Sequence, residues 1–469
     1  MIRLIPGLFF CLLCIAGVQA GDYNHHWISQ SEGPTGLNFN HIVDEYPEVP
    51  DFKENTRRSR AVISDQQGNL ALYLGWDGTV YNDNNSPIIK ADELSIDNNN
   101  SYGSIFFPAP GEKGMFYLAY SSEDEEEFYY ALFNAREDEV IEKEELLAED
   151  LYAWSTQVVK STDGNIWLLA KNEGSRELHT FKFADQFGPE EHKINRLPST
   201  SYRDVKGPFL TVTPDGERVA TRIYNTDKDP TKTFLTLADF DSFTGDIRNV
   251  QTVDTFRFGK TIRSLAFSPK GKKLYVNTSQ GSKKTLTQYN LEKPTERRVQ
   301  KSSTTLFERE RLRWGDFALM PGPDGKIYFS RAEYLKSGDK DPTVTRSKGV
   351  INDPEERSFG ANISPHPYAL KGRPPHIPVG IMKTGHIRLE HYRADEQNKI
   401  RLSNLSHEPE NTTFSIYQHG RPVESLGSNQ RFSFPGPGEY RVEAVVDFGN
   451  STRIIAQKVN IFLQGVEDP

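Results

Sequence analysis

Segment 386–391 carries two histidines and a glutamate, residue types that ligate zinc. His386 and His391 are one residue off the spacing of an inverted zinc-protease motif. The stretch reads as a β-strand, which sends Glu390 and His391 to opposite faces, so a solvated strand is expected there and no metal site. His25 and His26 stand near the amino terminus and read as a flexible end. No Gly-x-Ser-x-Gly elbow, phosphate loop, dinucleotide fingerprint or EF-hand loop occurs. The chain is therefore expected to be no enzyme, with no catalytic set, cofactor or metal.

Charge and aromatic residues point instead to surfaces. Residues 123–127, including Glu125 and Glu126, form an acidic run, and 137–150 adds more carboxylates. One reading is a solvated, self-repelling loop. The other is an acidic patch that meets a basic partner or weakly holds Ca²⁺. Lys272, Lys273, Lys283, Lys284 and the run 309–313, with Arg311 and Arg313, make a later region basic. Such separation of sign suits oriented docking. Trp76, beside Asp77-Gly78, and Trp314, beside Gly315-Asp316, sit in turn-like sequence and are expected at an exposed rim. Trp167 lies inside an apolar run and is expected in the core. Trp76, Trp314, Glu125, Glu126, Arg311 and Arg313 are thus the candidate interface residues.

The elements that must position them are strands. A hairpin phrase recurs at 64–73, 161–169, 213–220, 268–276 and 322–329. Each copy runs from an apolar strand through a turn rich in Pro, Asp and Gly into a second apolar strand. Proline pre-sets φ, and glycine takes the positive φ that closes the turn. Spacings of about 50 residues, with one gap near double, fit one propeller blade per copy. Residues 104–119 fill the double gap as a variant copy, and the stretch around Trp27 to Phe39 is expected to complete a seventh blade or supply a closing strand. The Glu-rich stretch 137–151 is the exception, read as a turn or two of helix. Past Pro374-Pro375 the texture changes to short strands in about 85 residues, the pattern of an immunoglobulin-like sandwich. Tyr440, Val442 and Ala444 alternate with Arg441 and Glu443, so one face of that strand should be buried.

The expected fold is all-β: a β-propeller of seven blades at 21–375, then an immunoglobulin- or PKD-like β-sandwich at 376–469. Residues 1–20 read as a signal peptide, with Arg3, an apolar core from Leu8 to Val18, and a small-residue cleavage pattern at Val18-Gln19-Ala20. Both cysteines, Cys11 and Cys14, fall inside it, so the mature chain has neither disulfide nor thiolate. With 65 acidic against 56 basic residues and a net charge of −9, nucleic acid is not expected as a partner. No later stretch is apolar enough to span a membrane.

With those phrases laid out, the chain resembles the gliding-motility-associated WD40-like (PD40-type) propeller proteins of Bacteroidetes, which carry a PKD-like domain and are linked to the type nine secretion system. The resemblance rests on Trp27, Gly36-Leu37-Asn38-Phe39, Ala61 to Asp65 with Gly68-Asn69-Leu70, Val80-Tyr81-Asn82, and the segment 209–216. It continues through Phe243-Thr244-Gly245, Phe267-Ser268-Pro269, 323–328, 349–354 and, for the sandwich, 432–442. It implies a non-catalytic protein-interaction scaffold, exported to the periplasmic face of the outer membrane or the cell surface, docked on a protein complex there. The alternative reading is a secreted glycan-binding or glycan-degrading propeller protein, whose ligand would be a glycan.

Overall fold

The computed structural model describes residues 26–28, 36–43, 46–48, 59–368 and 388–461. Within these spans it omits 67, 76, 90–92, 98–102, 123–126, 162–163, 173–176, 198–208, 226–231, 258, 294, 310–318, 336–342, 395–396, 404–410, 419–420, 428–430, 433–437 and 448–451. The expected signal segment and the proline-rich junction at 374–378 lie outside the described residues.

The hairpin phrase behaves as its chemistry dictates. In the copy at 213–220 the Gly216 N–H donates to Thr213 O at 2.8 Å, with Gly216 at φ 74°. This is a type I turn closed by a left-handed glycine, the connection that matches strand twist. The same bond recurs at Gly68, Gly164, Gly271 and Gly325. Each turn joins the first and second strands of a four-stranded antiparallel meander.

Six such sheets follow one another. The first runs Ser59–Ser64, Leu70–Gly75, Val80–Asn82 and Pro87–Ile89. The second is Ile105–Pro108, Met115–Ser121, Phe128–Asn134 and Glu139–Ala148. Ala153–Lys160, Ile166–Asn172, Glu177–Phe183 and Pro189–Arg196 form the third. The fourth is Leu210–Val212, Arg218–Asn225, Lys232–Asp241 and Asp246–Phe256. Next come Thr261–Phe267, Lys273–Gln280, Lys283–Asn290 and Thr304–Arg309. The sixth is Leu319–Pro321, Ile327–Leu335, Thr343–Ile351 and Ile363–Tyr368. The first strands of successive sheets lie side by side, and apolar clusters fill the spaces between sheets.

All-β composition is therefore as expected, but the seven-bladed propeller and the immunoglobulin- or PKD-like sandwich are not what forms. Among the described residues there are six four-stranded sheets, no pairing joins one to the next, and no sheet closes on itself. The segment expected to supply a seventh blade or closing strand is committed elsewhere. Gly36–Val43 pairs in parallel with Thr452–Ile461, His41 opposite Ile454. It thereby joins a seven-stranded sheet that also contains His26–Ile28, Tyr46–Glu48, Gly438–Asp447, Asn411–Gln418 and Arg421–Gly427. A sandwich built from 376–469 alone has no place for that parallel partner. A three-stranded sheet holds Arg388–Ala394, Gln397–Ser403 and Arg431–Phe432, so His391 is on a strand as expected. Tyr440, Val442 and Ala444 are buried, as the alternation required.

Stretch 137–151 is not helical. Glu139–Ala148 is the outer strand of the second sheet, with exposure alternating over its first half. A helix there would have left the third strand of that sheet, Phe128–Asn134, without its outer partner. One short α-helix occurs among the described residues, α1 at Glu296–Lys301, capped by Thr295. No helix among them is long and apolar enough to cross a membrane.

What locks sheet to sheet is a buried aromatic on a second strand, bonded to the next sheet's turn between third and fourth strands. Tyr117 donates to Asp185 O at 3.1 Å and accepts from the Gly188 N–H at 3.0 Å. Trp167, fully buried, donates from Nε1 to Ser242 O at 2.7 Å. Tyr275 donates to Pro354 O at 2.9 Å. Burial pushes the Tyr117 and Tyr275 phenols above their ordinary value, so both remain protonated donors. At the fourth and fifth sheets the direction reverses: Tyr289 donates to Asp254 Oδ2 at 2.6 Å, and Gln300 of α1 to Asp254 Oδ1 at 2.9 Å. The lock demands close approach. A Cβ on Gly245, at φ 75°, would come within 2.3 Å of the Trp167 ring.

Replacing Trp167 with alanine removes both the packing and the bond across the third and fourth sheets. The expected cost is ~3–5 kcal/mol of unfolding free energy, read as a lower denaturant midpoint.

Candidate functional site

The strongest surface feature grows from a second repeated device. At the end of the third strand, or two residues past it, an Asn or Asp stands in five sheets: Asn82, Asn134, Asp185, Asp241 and Asn290. Each side-chain oxygen accepts the N–H two residues on. The recipients are Asn84 (3.0 Å), Arg136 (3.1 Å), Phe187 (2.8 Å), Phe243 (3.0 Å) and Glu292 (3.2 Å). Such a turn holds its own backbone with a short polar side chain and throws the i+2 side chain outward. These turns lie at the same end of each sheet as the hairpin phrase. They therefore form a series of equivalent tips.

In the third and fourth sheets the tip residue is phenylalanine. Phe187 is 77% exposed and Phe243 70%, more than any other large apolar side chain among the described residues. Their backbones are pinned while their rings stand in solvent. Tyr117 and the tight fit of Tyr130 against Gly188 hold the Phe187 turn. The Phe243 turn is held by Trp167, by Thr180 donating to Gly245 O at 3.1 Å, and by Lys193. Lys193 Nζ bonds Thr244 O and reaches Asp246 at 3.0 Å and Glu191 at 3.2 Å.

Charges knit the same turn. Arg248 meets Asp246 at 2.9 Å and Asp241 at 3.5 Å. Arg248 and Lys193 hold the Asp246 carboxyl down at about 2. Asp241 is also lowered: desolvation works against this, but the Thr244 and Phe243 N–H groups and Arg248 outweigh it. These are solvent-exposed pairs, individually weak; their effect here is to fix the turn. A cleft of about 150 Å³ opens between the first and second sheets, lined by Asp65, Asp83, Lys113 and Arg136 among others. Both oxygens of Asp65 are engaged by Asn69.

Trp76, Trp314, Glu125, Glu126, Arg311 and Arg313 lie outside the described residues. Trp167 is core, as expected. The basic region around the fifth sheet is divided by position: Lys273 and Lys284 are buried within strands, Lys272 is exposed in the turn, and Lys283 is half-buried at a strand start. Its charge is also partly compensated: Glu292 lies 3.2 Å from Lys272 and 3.3 Å from Lys273, and Glu308 lies 2.7 Å from Lys283. No group of three or more metal-ligating side chains converges among the described residues. Sequence reasoning passed over Phe187 and the exposure of Phe243. The signal was available as an Asp at or just past a strand end, an aromatic two residues later, and a glycine just beyond.

No protein-family model matches the chain. No curated protein matches it either. Solved structures with similarity include the hydrazine synthase of Kuenenia stuttgartiensis, at 13% identity and TM-score 0.42 over 69% of this chain and 95% of that one. Another is the extracellular domain of a putative one-component system from B. thetaiotaomicron, at 13% and 0.35, covering 96% of this chain and 58% of that one. The polysaccharide lyase Uly1 gives 8% and 0.33 over 76% and 90%. At these scores they carry neither fold nor activity across. The resemblance to gliding-motility propeller proteins is accordingly corrected: no family matches, the similar structures bear unrelated names, and the sheets do not close.

Truncating Asp241 to alanine leaves the Phe243 and Thr244 N–H groups without their acceptor. A loss of ~1–2 kcal/mol in thermal unfolding is expected, with Asp241→Asn largely restoring it.

Proposed function

We propose that this chain is a non-catalytic protein-interaction scaffold that docks through the turn tips bearing Phe187 and Phe243. The observation that supports this is the pairing of rigid backbone with exposed aromatic rings at equivalent positions of neighbouring sheets. An aromatic ring held in one geometry loses little entropy on binding, which is why such residues dominate interface energetics. Arg136, at the equivalent tip of the second sheet, adds a planar cation to the series. The partner is a folded protein with an apolar socket for the phenylalanines and an acidic group facing Arg136. The amino-terminal export pattern supports an encounter outside the cytoplasm.

Both rings are solvated, so Phe187→Ser with Phe243→Ser is expected to shift unfolding by no more than ~0.5 kcal/mol. The same double variant is expected to weaken capture of a discrete partner from an envelope fraction by ~10-fold or more. Capture at equal strength by the two proteins sinks the reading. Loss of capture that is restored by Phe187→Trp with Phe243→Trp supports it. A glycan bound equally by both forms would favour the carbohydrate alternative.

A further inference from the structure

A pair of histidines stands on the face of the third sheet opposite the one from which Lys193 reaches the Phe243 turn. His179, only 5% exposed, lies on the third strand of the third sheet, and His192, exposed, lies on its outer strand. His179 Nδ1 and His192 Nε2 are 3.0 Å apart. The ring centres are 5.2 Å apart with planes inclined by 23°. That separation is about the nitrogen contact plus one ring radius at each end, so the imidazoles meet edge to edge in an N–H···N bond. His192 also stacks face to face on Phe181, centroids 4.3 Å apart.

In the neutral pair one ring donates its N–H and the other accepts, whichever tautomer holds. Glu177 lies 4.0 Å from His179 Nε2, beyond hydrogen-bond reach. A first proton enters at the outer nitrogen of the donor ring and leaves the bond intact, now charge-assisted. A second has only the accepting nitrogen of the pair to bind. There it sets two N–H groups and two positive charges against each other at 3.0 Å.

We propose that His179 and His192 form a two-proton latch that frees the outer strand of the third sheet, and with it the Lys193 hold on the Phe243 turn, when the second proton arrives. The proposal deepens the docking reading and rests on it for its consequence: acid loosens one of the two aromatic tips.

The surroundings set the threshold. Lys171 on the second strand opposes added charge. Glu177 on the third strand is shared with Arg196 at 3.6 Å. On the outer strand Glu190 is engaged by Lys182 at 3.8 Å, and Lys193 turns to the fourth sheet. From the second sheet comes Phe128, apolar, against Phe181. Burial first, then His192 and Lys171, bring His179 down to about 4, and burial lowers His192 too. Because the folded value lies below the ordinary 6.5, stability from the pair is full above 6.5 and is lost as pH falls through about 4.

Hydrogen exchange on the full-length mature chain, corrected for intrinsic rate, tests this. Between about pH 6 and about pH 3.5, peptides over 189–196 and 241–246 are expected to lose ~10-fold protection while 166–172 holds. His192→Gln keeps an amide that can pair with His179 but accepts no proton, and is expected to remove that loss. Imidazole ¹⁵N shifts of the unaltered chain are expected to show two separate proton uptakes, whether or not the variant folds. Protection that falls in step with 166–172, an unchanged loss in His192→Gln, or a single joint titration overturns the latch. No partner enters these readouts. If docking alone is wrong, the acid loss persists while Phe187→Ser with Phe243→Ser binds as before.

Discussion

The body of this protein depends on an aromatic hydrogen-bond donor reaching out of one sheet and into the turn of the next. The apolar side chains of each four-stranded meander are buried by packing against the neighbouring sheets. Tyr117, Trp167 and Tyr275 lie inside the interface, where their rings fill space and their single polar atom meets a turn carbonyl. Glycine at the receiving turn, as at Gly245, lets the ring come close enough. The same contact that buries the ring fixes the turn, so the receiving turns of the third, fourth and sixth sheets are set by the neighbouring sheet as well as by their own residues.

That dependence explains how exposed aromatics and order coexist at Phe187 and Phe243. A phenylalanine in a mobile loop would collapse onto the surface, but here the N–H of each is held by Asp185 or Asp241 and the turn is clamped from behind. The outer strands show the opposite strategy. Glu139–Ala148 presents charge and register shifts, with Glu144 at positive φ, and Asp246–Phe256 has Asn249 likewise. Bulges and charge deter another strand from adding to an open edge. The edges repel partners while the tips offer side chains.

Polar groups buried near this interface sharpen the same logic. His179 is tolerated beneath the third sheet's outer strand because His192 satisfies it, and Lys193 one residue on serves the neighbouring sheet. A single strand thus carries a proton-sensitive contact on one face and a structural clamp on the other. Strand alternation alone couples them.

Local chemistry was written plainly in the chain. The Pro-Asp-Gly turns, the apolar strands around them, the variant copy at 104–119, the core position of Trp167 and the buried face of Tyr440, Val442 and Ala444 all follow from short-range preference and period. Stretch 137–151 misled because its glutamates favour helix, whereas a waiting edge on Phe128–Asn134 decided for strand. The parallel pairing of Gly36–Val43 with Thr452–Ile461 joins segments about four hundred residues apart, beyond any local signal. It is also what removed the seventh blade. The division of Lys272 from Lys273, and the exposure of two phenylalanines that composition assigns to a core, were likewise decided by neighbours in space. Turn and strand preferences are properties of a few adjacent residues; which edge pairs, and which ring stays in water, depends on surfaces that exist only once the sheets have packed.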